Sequence, residues 1–225
     1  MNQRRNKIAV GVILSLALLN VSILALVWSK TAPYSRSIYI GLISSLRERG
    51  YRFILPRDYQ VNASEKVVLL RHDVDVRIRG VSVLAEIEKQ FGVRSAFYVR
   101  MDGDYFGESY PIFQQLEREG FEIGFHYDTL SRSNGDKSLA TPLFIAQVAF
   151  MRSLFNISTT VAHGDSHNPH IWNEALFDGE LWERLGLRDF THVENATYIS
   201  DSSHALSVPS EFKNVVLINL HTDYW

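Results

Sequence analysis

Two rhythms of hydrophobic and polar positions run along this chain, and the switches between them mark its elements. From Ile8 to Trp28 the sequence is apolar, broken only by Ser15, Asn20 and Ser22. As a helix this run would be about 31 Å long, the hydrocarbon thickness of a bilayer. From Ser37 to Arg49, Ile38, Ile40, Leu42, Ile43 and Leu46 form an imperfect apolar stripe, which predicts an amphipathic helix stopped by Gly50. Lys66-Val67-Val68-Leu69-Leu70 is almost wholly aliphatic, the mark of a strand with both faces covered in a mostly parallel sheet, predicted over 66–72. A helix is predicted over 80–91, with Val83, Leu84, Ile87 and Phe91 on one side and Gly92 as its stop. A strand (94–99), a helix (110–119, stopped by Gly120), a strand (121–127), a helix (139–154) and a strand (159–163) follow, and the last clear strand is Val215 to Leu220. Strands alternating with helices in this way predict an α/β domain of parallel strands, open or closed as a barrel.

Composition narrows the classes. The 225 residues allow one domain of ordinary size, and no internal repeat or second domain is visible. A net charge of -2 lacks the basic footprint of a nucleic-acid binder. Cysteine is absent, which excludes a thiolate nucleophile and leaves any metal to His and carboxylate ligands. The basic tip MNQRRNK precedes the apolar run, and Trp28, Lys30 and Pro33 make a poor cleavage site. The expectation is a single-pass signal anchor over 1–30. Arg4, Arg5 and Lys7 stay cytoplasmic and the remainder lies extracytoplasmic. A linker with the amphipathic helix (31–65) and a catalytic domain (66–225) complete the expected organisation.

Chemistry gathers at the carboxyl ends of parallel strands. In LLRHDVDVR, Asp73 and Asp75 are two positions apart and share a face, with Arg71, and with Arg77 if the pleat continues. Two carboxylates roughly 6 to 7 Å apart repel each other unless a cation or a proton sits near them. The other strand ends supply His126 with Asp128, His163 with Asp165, and His221 with Asp223. Neutral imidazoles serve metal hydrolases as ligands and proton carriers. Gly124 is expected to let the backbone approach closely at the mouth. His167 and His170 fall in a loop suited to solvent or substrate, and His192 and His204 carry no local pattern. Trp225 is either a platform for a sugar ring or a terminal core residue. For Asp73-Val74-Asp75, a phosphatase nucleophile is disfavoured by Arg77, where Thr or Val is wanted. A membrane-anchored glycosyltransferase holding a divalent ion on a nucleotide sugar stays open.

The motifs LRHDVDV, EIGFHYD, VAHG and INLHTDYW, in order from about Lys66 to Trp225, resemble those of the polysaccharide deacetylases, the NodB-homology domain of carbohydrate esterase family 4. The closest resemblance is to the branch with an RHDVD start and a His-Gly third motif, whose members often accompany surface-polysaccharide synthesis. The resemblance implies a distorted (β/α) barrel, a divalent metal expected to be zinc, and removal of an acetyl group from an N-acetylated sugar. By it, Asp73 matches the general base, Asp75 a metal ligand, His126 the first metal histidine and His221 the general acid. The family's second histidine, four positions later, falls on Leu130, which cannot bind a metal. The third ligand is therefore expected elsewhere, His163 first and Asp128 behind it. The usual arginine–proline motif has no counterpart. Arg71, Asp128 and Trp225 are expected to meet the carbohydrate. The loss at position 130 leaves open a catalytically inactive, membrane-anchored protein that binds glycan or serves as a scaffold.

Overall fold

The aliphatic run after Lys66 forms β2 (Val67–Val74), buried along its whole length, and it organises the sheet. The computed structural model describes residues 36–60, 64–164, 168–202 and 206–225. The expected anchor over 1–30, Asp165, His167 and His204 lie outside these. No helix among the described residues is long and apolar enough to cross a membrane. The other strands are β1 (Arg52–Ile54), β3 (Ala96–Val99), β4 (Glu122–Tyr127), β5 (Thr159–Ala162), β6 (Arg188–Asp189), β7 (Ala196–Ser200) and β8 (Val215–His221). The helices are α1 (Arg36–Glu48), α2 (Arg79–Gln90), α3 (Phe106–Arg118), the single turn α4 (Thr129–Arg132), α5 (Lys137–Arg152) and α6 (Gly179–Arg184).

Every strand pairing is parallel, in the order β6-β5-β4-β3-β2-β8-β7, with β1 added beside β2. Both rims are strand edges among the described residues, so the barrel is open. It is nevertheless strongly curled. Four inter-strand spacings of about 4.8 Å separate β2 from β6 in a flat sheet, yet Nη1 of Arg71 on β2 donates to the carbonyl of Phe190, just past β6, at 2.6 Å.

Alternation along β2 sorts its side chains between two cores. Val68, Leu70 and Val74 face the helices, where Leu42, Leu46, Leu84, Phe113 and Phe144 cover the sheet. Val67 and Leu69 face inward, with Ala96, Tyr98, Val161, Leu217 and Phe190 in a smaller interior cluster. Burying each large apolar side chain contributes about 1.5–3 kcal/mol. Gly124 acts inside this cluster rather than at the mouth: a Cβ there would overlap the Tyr98 ring and come within 3.1 Å of Thr159 Oγ1.

The first helix belongs to the same body. Tyr39 of α1 is fully buried and its hydroxyl donates to Glu88 Oε1 of α2 at 2.7 Å. The same carboxylate receives Ser95 Oγ at 2.6 Å and meets His72 Nε2 of β2 at 2.5 Å. With β1 paired to β2, residues 36–60 are part of the domain, and the expected boundary at Lys66 moves toward the N-terminus. The short strands β1, β6 and β7 and the helices α4 and α6 were not expected, because none has an apolar run long enough to set a rhythm.

Candidate metal and catalytic site

A parallel sheet brings all of its carboxyl ends to one edge. Here that edge carries Asp73 from β2, Asp75 one residue past β2, His126 from β4, His163 one residue past β5 and His221 from β8. Asp73 and His221 are register partners on neighbouring strands, as are Arg71 and Asn219 two residues below them.

Asp75, His126 and His163 converge. Nε2 of His126 lies 3.2 Å from Oδ1 of Asp75, and Nε2 of His163 lies 3.7 Å from the same oxygen. One ligand atom from each residue lies within 4.8 Å of the other two. Tetrahedral bonds of about 2.1 Å set ligand atoms about 3.4 Å apart, so these residues fit one small divalent ion. Two further observations agree. Oδ1 of Asp75 is buried without a hydrogen-bond partner. Nδ1 of His126 is 3.0 Å from the Val161 carbonyl, which only accepts, so the neutral ring carries its proton there and turns the Nε2 lone pair toward Asp75. Burial opposes the charge of Asp75, but His126, His163 and His221 outweigh it and hold the carboxyl far below the usual range. Burial, reinforced by His126 and Arg100, pushes His163 down to about 4, which keeps it a neutral imidazole. His126 moves the other way: burial lowers it, and the Asp73 and Asp75 charges more than compensate.

The remaining two residues, Asp73 and His221, are each held by polar partners. Oδ2 of Asp73 accepts from Asn219 Nδ2 at 2.8 Å and lies 3.5 Å from Arg71 Nη2, while its Oδ1 is buried and unpartnered. Burial raises its pKa, but Arg71, His126 and His221 together bring it below the ordinary value. His221 is held by Asp201, whose Oδ1 lies 2.6 Å from Nδ1 and whose two oxygens accept the His221 backbone N–H at 3.0 and 3.1 Å. Burial lowers the His221 pKa, yet Asp201 and Asp73 raise it to about 9, so the ring is an imidazolium at neutral pH. Its Nε2 stands 3.9 Å from Asp73 Oδ2 and 4.0 Å from Asp75 Oδ2.

The residues expected to meet the carbohydrate are placed otherwise. Arg71 is only 4% exposed and lies beneath Asp73, bound to it and to the Phe190 carbonyl, so it orients the carboxylate and does not reach a ligand. Asp128 is buried and receives Arg100 Nη2 at 2.7 Å and Arg132 Nε at 2.8 Å, which leaves it fixing two arginines rather than binding a metal. Trp225, half-buried, packs against Tyr39 with ring centroids 5.5 Å apart, and its Nε1 lies 3.3 Å from Asp201 Oδ2, which puts it against the edge of the core. The pleat ends before Arg77, whose backbone N–H donates to Asp223 Oδ1 at 2.5 Å. Leu130 is buried in the core between sheet and helices. The cleft over these groups, about 740 Å³, is lined by Asp75, Arg77, Arg100, Arg132, His163 and Tyr224 among others.

Three site residues escaped the sequence. Arg100 follows the end of β3 and would have been found by reading strand ends for cations as well as for His and acids; its Nη1 lies 3.3 Å from His163 Nε2. Asn219 was available as the same-face neighbour of His221. Asp201 follows β7, a strand with no apolar run to reveal it.

No family model matches the sequence, and no curated protein matches it. Among solved structures, the chain is similar to a CE4 esterase from Streptococcus mutans at a TM-score of 0.51 and 16% identity, covering 71% of this chain and 75% of that one. A family 4 carbohydrate esterase from Bacillus anthracis gives 0.49 at 12% identity, covering 86% and 82%. The catalytic domain of a peptidoglycan N-acetylglucosamine deacetylase from Eubacterium rectale gives 0.48 at 11%, covering 75% and 82%. The first likeness establishes a shared fold, the distorted (β/α) barrel of CE4 esterases.

Proposed function

We propose that this chain is a metal-dependent deacetylase of N-acetylated sugars in a surface polysaccharide or related glycan. In this reading residues 8–28 hold it at a membrane with the barrel on the extracytoplasmic side. The observation that carries the chemistry is the meeting of Asp75, His126 and His163 within 4.8 Å, between a buried carboxylate and an imidazolium. Asp75, His126 and His163 would hold a divalent ion, for which zinc is suited, and such an ion would polarise the acetyl carbonyl and lower the pKa of water to about 7.

The protein's own groups do the rest. Asp73 takes the proton of the attacking water. Its carboxylate is held below its ordinary pKa, so its position matters more to this step than its basicity. Arg71 and Asn219 fix Oδ2 and leave Oδ1 for the proton. His221 carries its proton on Nε2 and gives it to the departing sugar nitrogen, a step worth about 10²- to 10⁴-fold. Asp201 holds the ring by Nδ1, so that only Nε2 faces the reacting atoms. Water and the amide become acetate and an amine, and no other reactant is needed.

The full-length protein, assayed for bound metal and for acetate release from N-acetylated oligosaccharides with and without chelator, tests this reading. Absence of both metal and acetate sinks it. A second reading, a sugar-binding barrel without catalysis, is favoured by Arg100, a cation lying 3.3 Å from a ligand nitrogen of His163. Metal at one ion per chain discards that alternative. A topology reporter at the C-terminus tests the orientation, and cytoplasmic signal contradicts it.

A further inference from the structure

Arg100, one residue past β3, reaches the ligand set from outside it. Its backbone N–H donates to the Tyr105 hydroxyl at 3.1 Å, and that hydroxyl donates to the Val74 carbonyl at 2.7 Å, next in the chain to Asp75. The side chain is 16% exposed. Nε donates to Asp102 Oδ1 at 3.3 Å, and Nη2 donates to Asp102 Oδ2 at 2.8 Å and to Asp128 Oδ2 at 2.7 Å. Nη1 turns the other way and lies 3.3 Å from Nε2 of His163. A guanidinium only donates, so Nε2 is the acceptor, and the lone pair it offers is the one through which His163 would bind an ion. We infer that Arg100 is a built-in competitor of that ion, a positioning residue that claims the third ligand nitrogen and makes the metal exchangeable rather than permanent. The inference rests on Asp75, His126 and His163 being the ligand set.

The two histidines differ in how their rings are held. Nδ1 of His126 has the Val161 carbonyl at 3.0 Å, the outer support that a metal histidine ordinarily has, and its Nε2 is left for an ion. Nδ1 of His163 is buried without a hydrogen-bond partner. The backbone of His163 is fixed, its N–H by the Tyr127 carbonyl at 2.8 Å and its carbonyl by Asn173 Nδ2 at 2.9 Å. Its ring, among the described residues, is hydrogen-bonded to Arg100 alone. An ion that takes Nε2 deprives Nη1 of this acceptor and sets two cations close together. Both effects weaken metal binding, and the repulsion is poorly screened because these side chains are largely shielded from water. Asp102 and Asp128 act in the opposite direction, neutralising the guanidinium and holding it back. Arg132 pairs with both carboxylates, its Nε 2.8 Å from Asp128 Oδ2, and keeps them paired when Arg100 is removed. Competitor and restraint should therefore move metal affinity in opposite directions. In a merely structural ion pair the loss of either partner loosens the same site.

The test is zinc titration of the full-length protein in detergent, stripped with chelator and dialysed, in competition with a chromophoric chelator at pH 8, where an ordinary imidazole is already neutral. Arg100→Met and Arg100→Gln should each bind zinc about tenfold or more tightly than the parent and release it more slowly to excess chelator. Asp102→Asn should bind it about tenfold more weakly. Arg118→Met, which removes the same charge from the exposed side of α3, should match the parent. If one Arg100 variant does not fold, the other decides. Zinc affinity equal to or below the parent's in the Arg100 variants, or above it in Asp102→Asn, overturns the inference and leaves the ligand set standing. Zinc bound by none of these proteins overturns both. Acetate release by the parent is a separate arm: affinities in the expected order without acetate remove the deacetylase reading and leave the role of Arg100 standing.

Discussion

Asp201→Asn isolates the carboxylate that raises the His221 pKa, on which the proposed role of His221 as acid rests. In the parent the ring is raised from 6.5 to about 9, against burial, by Asp201 and the Asp73 and Asp75 charges. An ion on Asp75 cancels much of what the two aspartates on the Nε2 side contribute. Asp201 lies at the opposite nitrogen, 2.6 Å away, and keeps its effect. Asparagine removes the charge while preserving size and an oxygen for the His221 backbone N–H. Each pKa unit the ring loses is worth about 1.4 kcal/mol and about tenfold in its protonated fraction on the alkaline side. The turnover number should therefore drop about tenfold or more at pH 8 and little at pH 6. The alkaline limb of the pH–rate profile should move to lower pH. Stability follows the same sign: a histidine raised on folding stabilises fully below its unfolded pKa and loses that contribution as pH passes its folded one. The parent should lose resistance to urea between about pH 6.5 and 9, and the variant should lose less. An alkaline limb that stays near 9 in Asp201→Asn, with an unchanged NMR titration of the ring, would refute the assignment of Asp201 and His221.

His163→Ala should weaken zinc binding at least about a hundredfold, read by competition with a chelating dye, without unfolding the domain; full retention of zinc would remove His163 from the ligand set. Leu130→His in that background should not restore the metal and should destabilise the fold by about 2–4 kcal/mol, because position 130 sits in the helix-facing core. Gly124→Ala should cost about 1–3 kcal/mol through overlap with Tyr98, seen as a lower thermal midpoint, and an unchanged midpoint would contradict the packing described. Glu88→Gln leaves His72, Tyr39 and Ser95 facing a neutral amide and should cost about 3 kcal/mol in urea unfolding while metal stoichiometry is preserved.

The sequence was most legible where burial on both faces demanded unbroken aliphatic runs. That demand exposed β2, β4, β5 and β8, and with them every metal-binding and proton-transfer candidate at their ends. Short strands at the rims face weaker demands: β6 spans only Arg188–Asp189, and β7 is half-buried, so Asp201 behind it gave no signal. Parity along a strand gave the face of Arg71 correctly and its role wrongly. Two residues back along a strand is about 6.6 Å deeper into the barrel, where a guanidinium meets the underside of Asp73 and the Phe190 carbonyl instead of solvent. Trp225 failed for a related reason. Its nearness in sequence to His221 suggested the mouth, but the turn Thr222–Tyr224 carries it back onto α1.

The proposed move of the third ligand from position 130 to His163 has a physical basis. A metal constrains the positions of ligand atoms, not the segments that deliver them. Adjacent parallel strands end about 4.8 Å apart and ligand atoms on one small ion about 3.4 Å apart, so an imidazole at the end of a neighbouring strand can serve in place of one from the following helix. His163 follows β5, which pairs with β4 opposite His126 itself, through Val161. The carbonyl of that same Val161 fixes the His126 tautomer. Moving the ligand to β5 thus joins two ligands through one strand pair and releases position 130 for the hydrophobic core, where Leu130 is buried. The neutral state of His163, pushed down to about 4 by burial beside His126 and Arg100, is the condition a nitrogen ligand must meet. Arg100 therefore has two effects at this site: it adds to the burial and the His126 charge that lower the His163 pKa, and its guanidinium occupies space beside the nitrogen that an ion needs. Its bonds to Asp102 and Asp128 at 2.8 and 2.7 Å hold it from two carboxylates, and that restraint sets how closely the cation can crowd the third ligand.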